Sequence, residues 1–455
     1  MKTSFSRQCV WRLAMALGWV LFSCPACPQP PKPPQPTPQA SGASQLPSLP
    51  QPSSGQQSPS VVITIDRAID LARKNNPALL AAVTLIEQSK AQEITANLRP
   101  NPVLSWDAQF LPIFDPSLFS STYIDETAQF DLGVGYLFER GKKRQHRLEA
   151  ARDVTAVTES QVADAQRTLI GNVAQQFVAA LLAKSNLEFA QQLLESFRRT
   201  VGISEEQYKA GAISKADYLK IRLQTLQFET DVSSARIAKV QALASLRQSL
   251  GFDSVPRDYD VAGSLVYGRL PVELDNLQAK ALSSRPDLQA AQRGITSASS
   301  QLALARANRK QDLSATFDYT HVNASNLGAF FFNIPLPIFN RNQGEIARTQ
   351  YAVTQSQFQE RAAEQQVLTD VKNAYEALRN SEDVVKLYEK GYLDQAKESL
   401  DIAQFSYQHG AASLLDFLDA ERSYRSAEFS YRQALATYMN ALEQLRLAVG
   451  SRQLQ

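Results

Sequence analysis

The sequence predicts a mainly α-helical, internally duplicated chain that also supplies four strands to a membrane β-barrel. Three observations carry this prediction: motifs of the first half recur in the second, long stretches have helical spacing, and four segments alternate apolar with polar residues. With 47 Lys and Arg against 45 Asp and Glu, the charges nearly balance. The composition therefore argues against a protein that binds nucleic acid by neutralising phosphates.

Residues 1–24 have the pattern of a secretory signal peptide. A basic start precedes an apolar run, 13–22, that is too short for a stable membrane span. Leu-Phe-Ser-Cys at 21–24 resembles the cleavage box of bacterial lipoproteins, so Cys24 is a candidate for lipidation. Ordinary cleavage, with Cys24 as an incidental thiol, is the alternative.

The next segment, 25–60, contains 12 of the 22 prolines, with Ser, Gln and Gly between them. Such a composition cannot bury a core, and we expect an extended tether. The remaining chain divides into a first repeat at 61–250, a connector at 251–272, a second repeat at 273–450 and a short tail at 451–455.

The sequence contains few residues that would indicate a metal site or an enzyme active site. All three cysteines lie in the first 27 residues, and the three histidines are isolated from one another. No clustered nucleophile, general base or ligand set stands out. We therefore expect no catalytic activity, no cofactor and no bound metal.

The two repeats follow one plan. Each begins with a short helix, 64–75 or 273–284, and continues with a medium helix opened by proline, 77–98 or 286–308. Two strands follow, and then a pair of long helices separated by a Tyr-x-x-Gly-x-x-Ser turn. The predicted pairs cover 142–208 with 214–250, and 342–408 with 413–449.

The last helix of each repeat has coiled-coil spacing, with apolar or small residues at alternating steps of three and four. In the second repeat these residues are Leu435, Tyr438, Leu442, Leu445 and Val449; in the first they are Leu219, Leu223, Leu226, Thr230, Ser233, Ile237 and Val240. A long helix of 67 residues would span about 100 Å, and a medium helix plus a last helix nearly matches it. A soluble coiled-coil rod is the alternative that the strands must exclude.

The strands have one aromatic-rich apolar face and one polar face. Their apolar positions are Leu104, Trp106, Ala108 and Phe110; Ala128, Phe130, Leu132, Val134, Tyr136 and Phe138; Leu313, Ala315, Phe317 and Tyr319; Phe330, Phe332, Ile334, Leu336 and Ile338. Four strands cannot close, and an open edge is not tolerated in lipid. The chain must therefore oligomerise, with eight strands in a dimer or twelve in a trimer.

These residues resemble the outer-membrane efflux proteins, the TolC-like ducts of tripartite pumps and secretion systems, over about 61–450. The resemblance rests on both Tyr-x-x-Gly-x-x-Ser turns, on Arg-Pro-Asn-Pro at 99–102, and on the run from Ile334 to Gly344. Within the family, 75–77, 99–102 and 141–144 are most similar to outer-membrane components of cobalt–zinc–cadmium-type pumps of the RND class.

The resemblance implies a homotrimer in the outer membrane of a Gram-negative-type bacterium, with a twelve-stranded barrel and a twelve-helix periplasmic tunnel. It implies a periplasmic adaptor and an inner-membrane pump of the RND type as partners, and export of small molecules or metal ions. A type I secretion duct and a soluble periplasmic coiled-coil scaffold are the alternatives. Contact with outer-membrane lipid is expected, and nucleic acid is not.

Three groups of residues are candidate functional sites. The tip turns that would dock the adaptor contain Tyr208, Gly211, Ser214, Gly410 and Ser413. By resemblance, a periplasmic gate is formed by Asp217, Tyr407, Asp416 and Asp419, although Ala412 stands where the best-known family member has an arginine partner. A basic belt at the headgroup level, where helix meets strand, contains Arg140, Lys142, Lys143, Arg144, Arg309, Lys310 and Arg341.

The glycines of the tip turns have a simpler explanation, since they could serve only to end the long helices. Likewise, Ser214 with Asp217 and Ser413 with Asp416 have the spacing of helix N-terminal capping boxes. For the belt, a solvated charged face or pairing between helices is the alternative.

Overall fold

The computed structural model describes residues 61–454. The predicted signal peptide, the candidate lipidation site Cys24 and the tether lie outside these residues. Within 61–454, no helix combines the length and the apolar character needed to cross a lipid bilayer.

The order of elements repeats along the chain. The first half consists of β1 Val62–Ile63, α1 Ile65–Asn75, α2 Pro77–Asn97, β2 Val103–Gln109, α3 Ser121–Glu126, β3 Gln129–Phe138, α4 Lys143–Lys209 and α5 Lys215–Leu250. The second half consists of β4 Asp260–Val261, α6 Leu274–Ser284, α7 Pro286–Asn308, β5 Leu313–Val322, β6 Ser325–Asn333, α8 Gln343–Leu387, α9 Leu393–Gln408 and α10 Leu414–Val449. The predicted helix boundaries are confirmed to within one or two residues, with one exception.

That exception is the second long helix, which was predicted to be continuous over 342–408. The structure divides it into α8 and α9 by a π-helical segment, Tyr388–Tyr392. Within this segment Gly391 has φ 105°, which is incompatible with regular α-helical hydrogen bonding. The corresponding helix of the first half, α4, runs without interruption for 67 residues.

The four predicted strands form one antiparallel sheet in the order β2-β3-β5-β6. The fourth strand was predicted to extend to Ile338, but β6 begins at Ser325 and ends at Asn333. Pro335 and Pro337 have no N–H to donate to a neighbouring strand, so they end the ladder. At its start, β6 is joined to β5 by Asn323 and Ala324, both with positive φ, as a two-residue hairpin turn requires.

The two faces of the sheet differ as the alternation predicts. On one face Leu104, Trp106 and Phe330 are about 70% exposed. The other face carries a shallow cleft lined by Ser105, Asp107, Gln129, Asp131, Asp318, Thr320 and Phe331. The short strands β1 and β4, which the sequence did not predict, form a separate parallel pair.

The medium and last helices of each half meet end to end, as their summed lengths predicted. Asn76 caps the start of α2 and donates its side-chain amide to the carbonyl of Ser249 at the end of α5, 2.8 Å away. In the second half Ser284 and Arg285 donate to the last carbonyls of α10. Buried apolar clusters surround both joints, and a third cluster lies between the helices near the tip turns.

Candidate functional site: the helical tips and the helix–strand boundary

The first tip turn connects α4 to α5. Gly211 has φ 75°, and its N–H donates to the carbonyl of Tyr208 at 3.0 Å. Ser214 then caps α5, because its hydroxyl accepts from the backbone N–H of Asp217 at 3.1 Å. The rings of Tyr208 and Tyr218 stack across the turn with centroids 5.2 Å apart. The turn therefore has a defined conformation while most of its residues are exposed.

The second tip turn connects α9 to α10 in the same way. Gly410 has φ 74°, and its N–H donates to the carbonyl of Tyr407 at 3.1 Å. Ser413 and Asp416 form a complete capping box at the start of α10. The two turns also touch, since the side-chain amide of Gln207 donates to the carbonyl of Gln408 at 3.0 Å. The five predicted docking residues thus lie on two neighbouring turns.

The predicted gate residues have different surroundings within one chain. Asp416 completes a capping box with Ser413, whereas the carboxylate of Asp217 accepts only from the hydroxyl of Ser214, so the predicted first capping box is incomplete. Asp419 is exposed one helical turn beyond Asp416. Tyr407 is only 6% exposed, and its ring stacks on Phe417 at 5.5 Å. In residues 61–454 no hydrogen bond or ion pair joins any two of these four side chains.

Tyr407 belongs to an aromatic cluster that the sequence analysis missed. Phe197 stacks on Phe228 at 4.5 Å and lies 6.4 Å from Phe417, which in turn contacts Tyr407. These rings come from α4, α5, α9 and α10, so the cluster joins the two long hairpins near their tips. The hydroxyl of Tyr407 is buried without a hydrogen-bond partner in the described part of the chain.

A group of charged side chains lies beside the aromatic cluster and was also missed. Arg425 of α10 forms an ion pair with Asp231 of α5 at 2.9 Å, and its guanidinium lies over the ring of Phe228. Glu421, one turn before Arg425, is 5% exposed and lies 3.9 Å from it. Burial raises the pKa of Glu421, although the charge of Arg425 opposes this effect.

Replacing Glu421 by glutamine should stabilise the protein at neutral pH. Because the folded-state pKa is raised, the stabilising contribution of neutral Glu421 is complete below the unfolded-state pKa and is lost as the pH rises through the folded-state value. We expect Glu421→Gln to raise the melting temperature by about 3 °C at neutral pH. The difference should vanish towards the pKa of an unperturbed glutamate, about 4.3.

Thermal unfolding followed by circular dichroism across this pH range measures the effect. Glu229→Gln is the matched control, because Glu229 is an exposed acid of α5 that pairs with Arg198. An equal shift for both variants, or a shift of Glu421→Gln that persists at acidic pH, would contradict the prediction.

The predicted basic belt divides into two sets. In the first set, Lys143 is 9% exposed and forms an ion pair with Asp312 at 2.7 Å, while the backbone N–H of Arg140 donates to the same carboxylate. Arg147, next along α4, pairs with Glu139 and donates to the carbonyl of Leu98. These contacts hold the start of α4 to the ends of the strands and of α2.

The second set, called the outward set below, is exposed apart from Arg144, which is half-buried. In residues 61–454, the side chains of this set form no ion pair with an acidic residue; they are those of Arg140, Lys142, Arg144, Arg309, Lys310 and Arg341. Lys142 and Asn342 adopt left-handed backbone conformations directly before α4 and α8, so both halves enter their long helix in the same way. The second set is thus a cationic surface at the boundary between helices and strands.

Residues 61–454 contain no group of three or more His, Cys, Asp or Glu side chains placed to hold a metal ion. The features that stand out are structural: paired helical hairpins with exposed tips, and a sheet that is apolar on one face and polar on the other. This architecture is that of an outer-membrane channel protein.

Comparison with known proteins agrees with this class. The profile of the outer membrane efflux protein family matches residues 68–252 and 277–451, and the chain belongs to this family. It is therefore an outer-membrane channel component of an efflux system, and the family is one of channels rather than of enzymes.

Individual relatives are distant but match along most of their length. The cobalt-zinc-cadmium resistance protein CzcC of Cupriavidus metallidurans is 24% identical over 84% of this chain and 87% of its own. The cation efflux system protein CusC of Escherichia coli O157:H7 is 26% identical over 78% of this chain and 79% of the length of CusC. The solved structure of the Campylobacter jejuni CmeC outer membrane channel is 18% identical, covers 85% of this chain and 86% of its own, and has a TM-score of 0.70.

Proposed function

We propose that three copies of this chain form a continuous duct from the periplasm to the cell exterior. The observation that carries the proposal is that a single chain leaves two sheet edges unpaired, and these edges could pair with each other between copies. The sheet is open at β2 and β6, whose outer backbone groups have no strand partner among residues 61–454. Pairing of β6 with β2 of the next copy would satisfy these groups, as a lipid environment requires.

The helices support the same assembly. On α5, the apolar stripe predicted to form a coiled-coil seam does not pack within the chain; Leu219, Leu223, Leu226, Ile237 and Val240 are between 42% and 70% exposed. The face of α5 that is buried instead carries Ile221, Phe228 and Val232. An exposed apolar stripe along a periplasmic helix favours packing against a helix of a neighbouring copy.

We propose cations as the cargo, a periplasmic adaptor as the partner at the tips, and an inner-membrane pump of the RND type as the energy source. The names of CzcC and CusC refer to cobalt, zinc and cadmium resistance and to cation efflux. In this chain, the polar face of the sheet places Asp107, Asp131 and Asp318 on three adjacent strands. Acidic side chains along a channel wall favour the passage of cations.

Planar-bilayer recording of the purified full-length protein tests the duct and its gate together. We expect trimers by native mass spectrometry and cation-selective pores in the bilayer. Asp416→Asn combined with Asp419→Asn removes six carboxylates from a trimer and should weaken block by multivalent cations about tenfold. The side-chain amide that Asp416→Asn introduces still offers an acceptor to the backbone N–H of Ser413, so the helix cap should survive.

Asp383→Asn is the control for the gate, because Asp383 is an exposed acid on α8 that pairs with Lys386. Unchanged block in the double variant would leave Asp416 with its capping role alone. Monomers that conduct no current would contradict the duct itself.

We also propose that the outward set of the basic belt binds lipid phosphates and fixes the depth of the protein in the membrane. Neutralising Lys142, Arg144 and Arg309 should remove about 1 kcal/mol of attraction to anionic lipid for each cation. In nanodiscs, the wild type should melt at a higher temperature with phosphatidylglycerol than with phosphatidylcholine, and the triple variant should lose this difference.

Lys143→Met provides the contrast, because Lys143 pairs with Asp312 inside the protein. It should lower the melting temperature equally in both lipids. A triple variant that keeps the full lipid-dependent difference would show that the outward set is only a solvated surface.

A further inference from the structure

A cavity of about 290 Å³ lies where the end of α10 meets α4 and the start of α7. Its charged lining consists of Arg167, Arg446, Arg452 and Glu443. The three arginine side chains are between 16% and 36% exposed, so a solute reaches them from solvent. Three guanidinium groups therefore line a space much larger than the roughly 30 Å³ that one water molecule takes up.

Two of these arginines have more hydrogen-bond donors than the protein gives them acceptors. Glu443 is 6% exposed and is shared, because one carboxylate oxygen pairs with Arg446 and the other lies 3.7 Å from Nη1 of Arg452. Within residues 61–454, Nε of Arg446 and Nη1 of Arg452 are buried and donate no hydrogen bond. A buried donor without an acceptor destabilises the fold, so a ligand that supplies acceptors here would stabilise it.

The third arginine, Arg167, is already compensated and forms a fixed wall of the cavity. It pairs with Asp164 at 2.7 Å, and its Nη2 lies 4.0 Å from Asp287. It also donates to the carbonyl of Leu447 at 2.6 Å, which holds the end of α10 against α4. A ligand in the cavity would therefore bind chiefly to the other two guanidinium groups.

The charges of those two groups do not cancel. In the described part of the chain, the acids that pair with Arg446 and Arg452 are Glu443 and Asp66. Asp66, 3.7 Å from Arg452, is 84% exposed, so water screens its charge. Two arginines thus share one buried carboxylate, and an excess of positive charge remains beside the cavity.

The cavity lies away from the surfaces that join copies in the proposed duct. The helices of one chain pack in the order α2 with α5, then α4, then α7 with α10, then α8. The cavity is bounded by α4, α7 and α10, in the middle of this order, whereas the open sheet edges are β2 and β6 and the exposed apolar stripe is on α5. Assembly through those surfaces leaves the cavity accessible.

We propose that this cavity binds a phosphate group between Arg446 and Arg452, either as the free ion or at the end of a small monoester. A phosphate group offers several oxygen acceptors and carries one to two negative charges. These properties match two unpartnered donors and an excess of positive charge. Guanidinium groups bind such oxyanions through directed N–H groups. The site is independent of the proposed duct, and it would connect the end of α10 to the segment that follows it.

Isothermal titration calorimetry of the purified full-length protein with inorganic phosphate tests the site, at an ionic strength held constant with chloride. The wild type should show saturable binding. Arg452→Gln removes one unpartnered donor and its charge, so it should weaken binding about tenfold or more. Arg198→Gln is the matched control, because Arg198 pairs with Glu229 on the surface, and it should bind phosphate as the wild type does.

Glu443→Gln should change the affinity in the opposite direction. This substitution removes the negative charge that competes with phosphate for both arginines, so it should tighten binding about tenfold. If the arginines served only to neutralise Glu443, the variant would gain no affinity for phosphate, and the proposal would be wrong.

Two further results would also overturn the proposal: no saturable binding to the wild type, or equal affinities of Arg452→Gln and Arg198→Gln. Where a variant folds poorly, thermal unfolding of the wild type decides. Its melting temperature should rise with phosphate and stay constant with chloride of equal ionic strength; an equal rise with chloride would contradict a specific site. Titration with glycerol 1-phosphate separates the two sources of the group, since tighter binding than that of inorganic phosphate indicates a monoester and weaker binding the free ion.

Discussion

A tryptophan at Ala212 is expected to abolish export while leaving assembled trimers in the membrane. Ala212 is exposed in the first tip turn, directly after Gly211, and it does not need a positive φ. A bulky side chain there should therefore leave the fold intact and prevent the close approach of an adaptor. Growth in the presence of the exported compound should fall to the level of a strain without the protein.

Gly211→Ala separates docking from helix termination. Alanine at φ 75° strains the turn by about 1–2 kcal/mol but adds almost no bulk. If the adaptor docks at the tip, Ala212→Trp should reduce export far more than Gly211→Ala does. Trimers should form in both variants. If Gly211→Ala is the more damaging, or if Ala212→Trp prevents trimer assembly, the turn serves only to end the helix.

The second large effect is expected at Arg285, which joins α7 to α10. Its side chain is 4% exposed, pairs with Asp287 and with Asp370, and donates to the carbonyl of Ala448. Removing the guanidinium of Arg285 leaves the carboxylates of Asp287 and Asp370 without the positive charge that compensates theirs. We expect Arg285→Met to destabilise the fold by about 3 kcal/mol.

Thermal unfolding measures this loss, and Arg198→Met is the control. Arg198 is half-exposed and pairs with Glu229 on the surface, so its replacement should cost less than about 1 kcal/mol. Equal melting temperatures for the two variants would contradict the assignment of Arg285 as the buried connection.

Acid sensitivity gives a second signature of Arg285. Burial tends to raise the pKa of Asp287, but its hydrogen bond to Arg285 and the positive charge together lower that pKa below its usual range. The resulting stabilisation is present above the unfolded-state pKa and is lost as the pH falls through the folded-state value. Arg285→Met should lose this part of the acid dependence, whereas Arg198→Met should keep it.

The accuracy of the sequence-based predictions follows from how local each signal is. Pro77 and Pro286 open helices because an N–H in the first turn has no acceptor within the helix, so proline loses no hydrogen bond there. Ser214 and Ser413 cap helices by accepting from backbone N–H groups three residues away. The strands were recognisable because alternation repeats every two residues. Such features need no knowledge of distant parts of the chain.

Predictions that depended on partners across the fold were less complete. Lys143 looked equivalent to Lys142 in the basic belt, but it turns inward to Asp312, 169 residues away. The apolar stripe of α5 was predicted to form a coiled-coil seam, but within one chain a different face of that helix is buried and the stripe is exposed. A periodic pattern identifies an apolar face, and it does not say which neighbour covers it.

The sequence by itself determined the duplicated plan, most helix boundaries and the two-faced strands, because these depend on spacing and on short-range chemistry. Only the tertiary structure decided that Tyr407 is packed against Phe417, that Arg425 connects α10 to α5, and that Gly391 interrupts one long helix but not its counterpart. The physical reason is that burial and ion pairing depend on which segments meet in space. Two helices with nearly the same local pattern can therefore differ in what they contact and in where they bend.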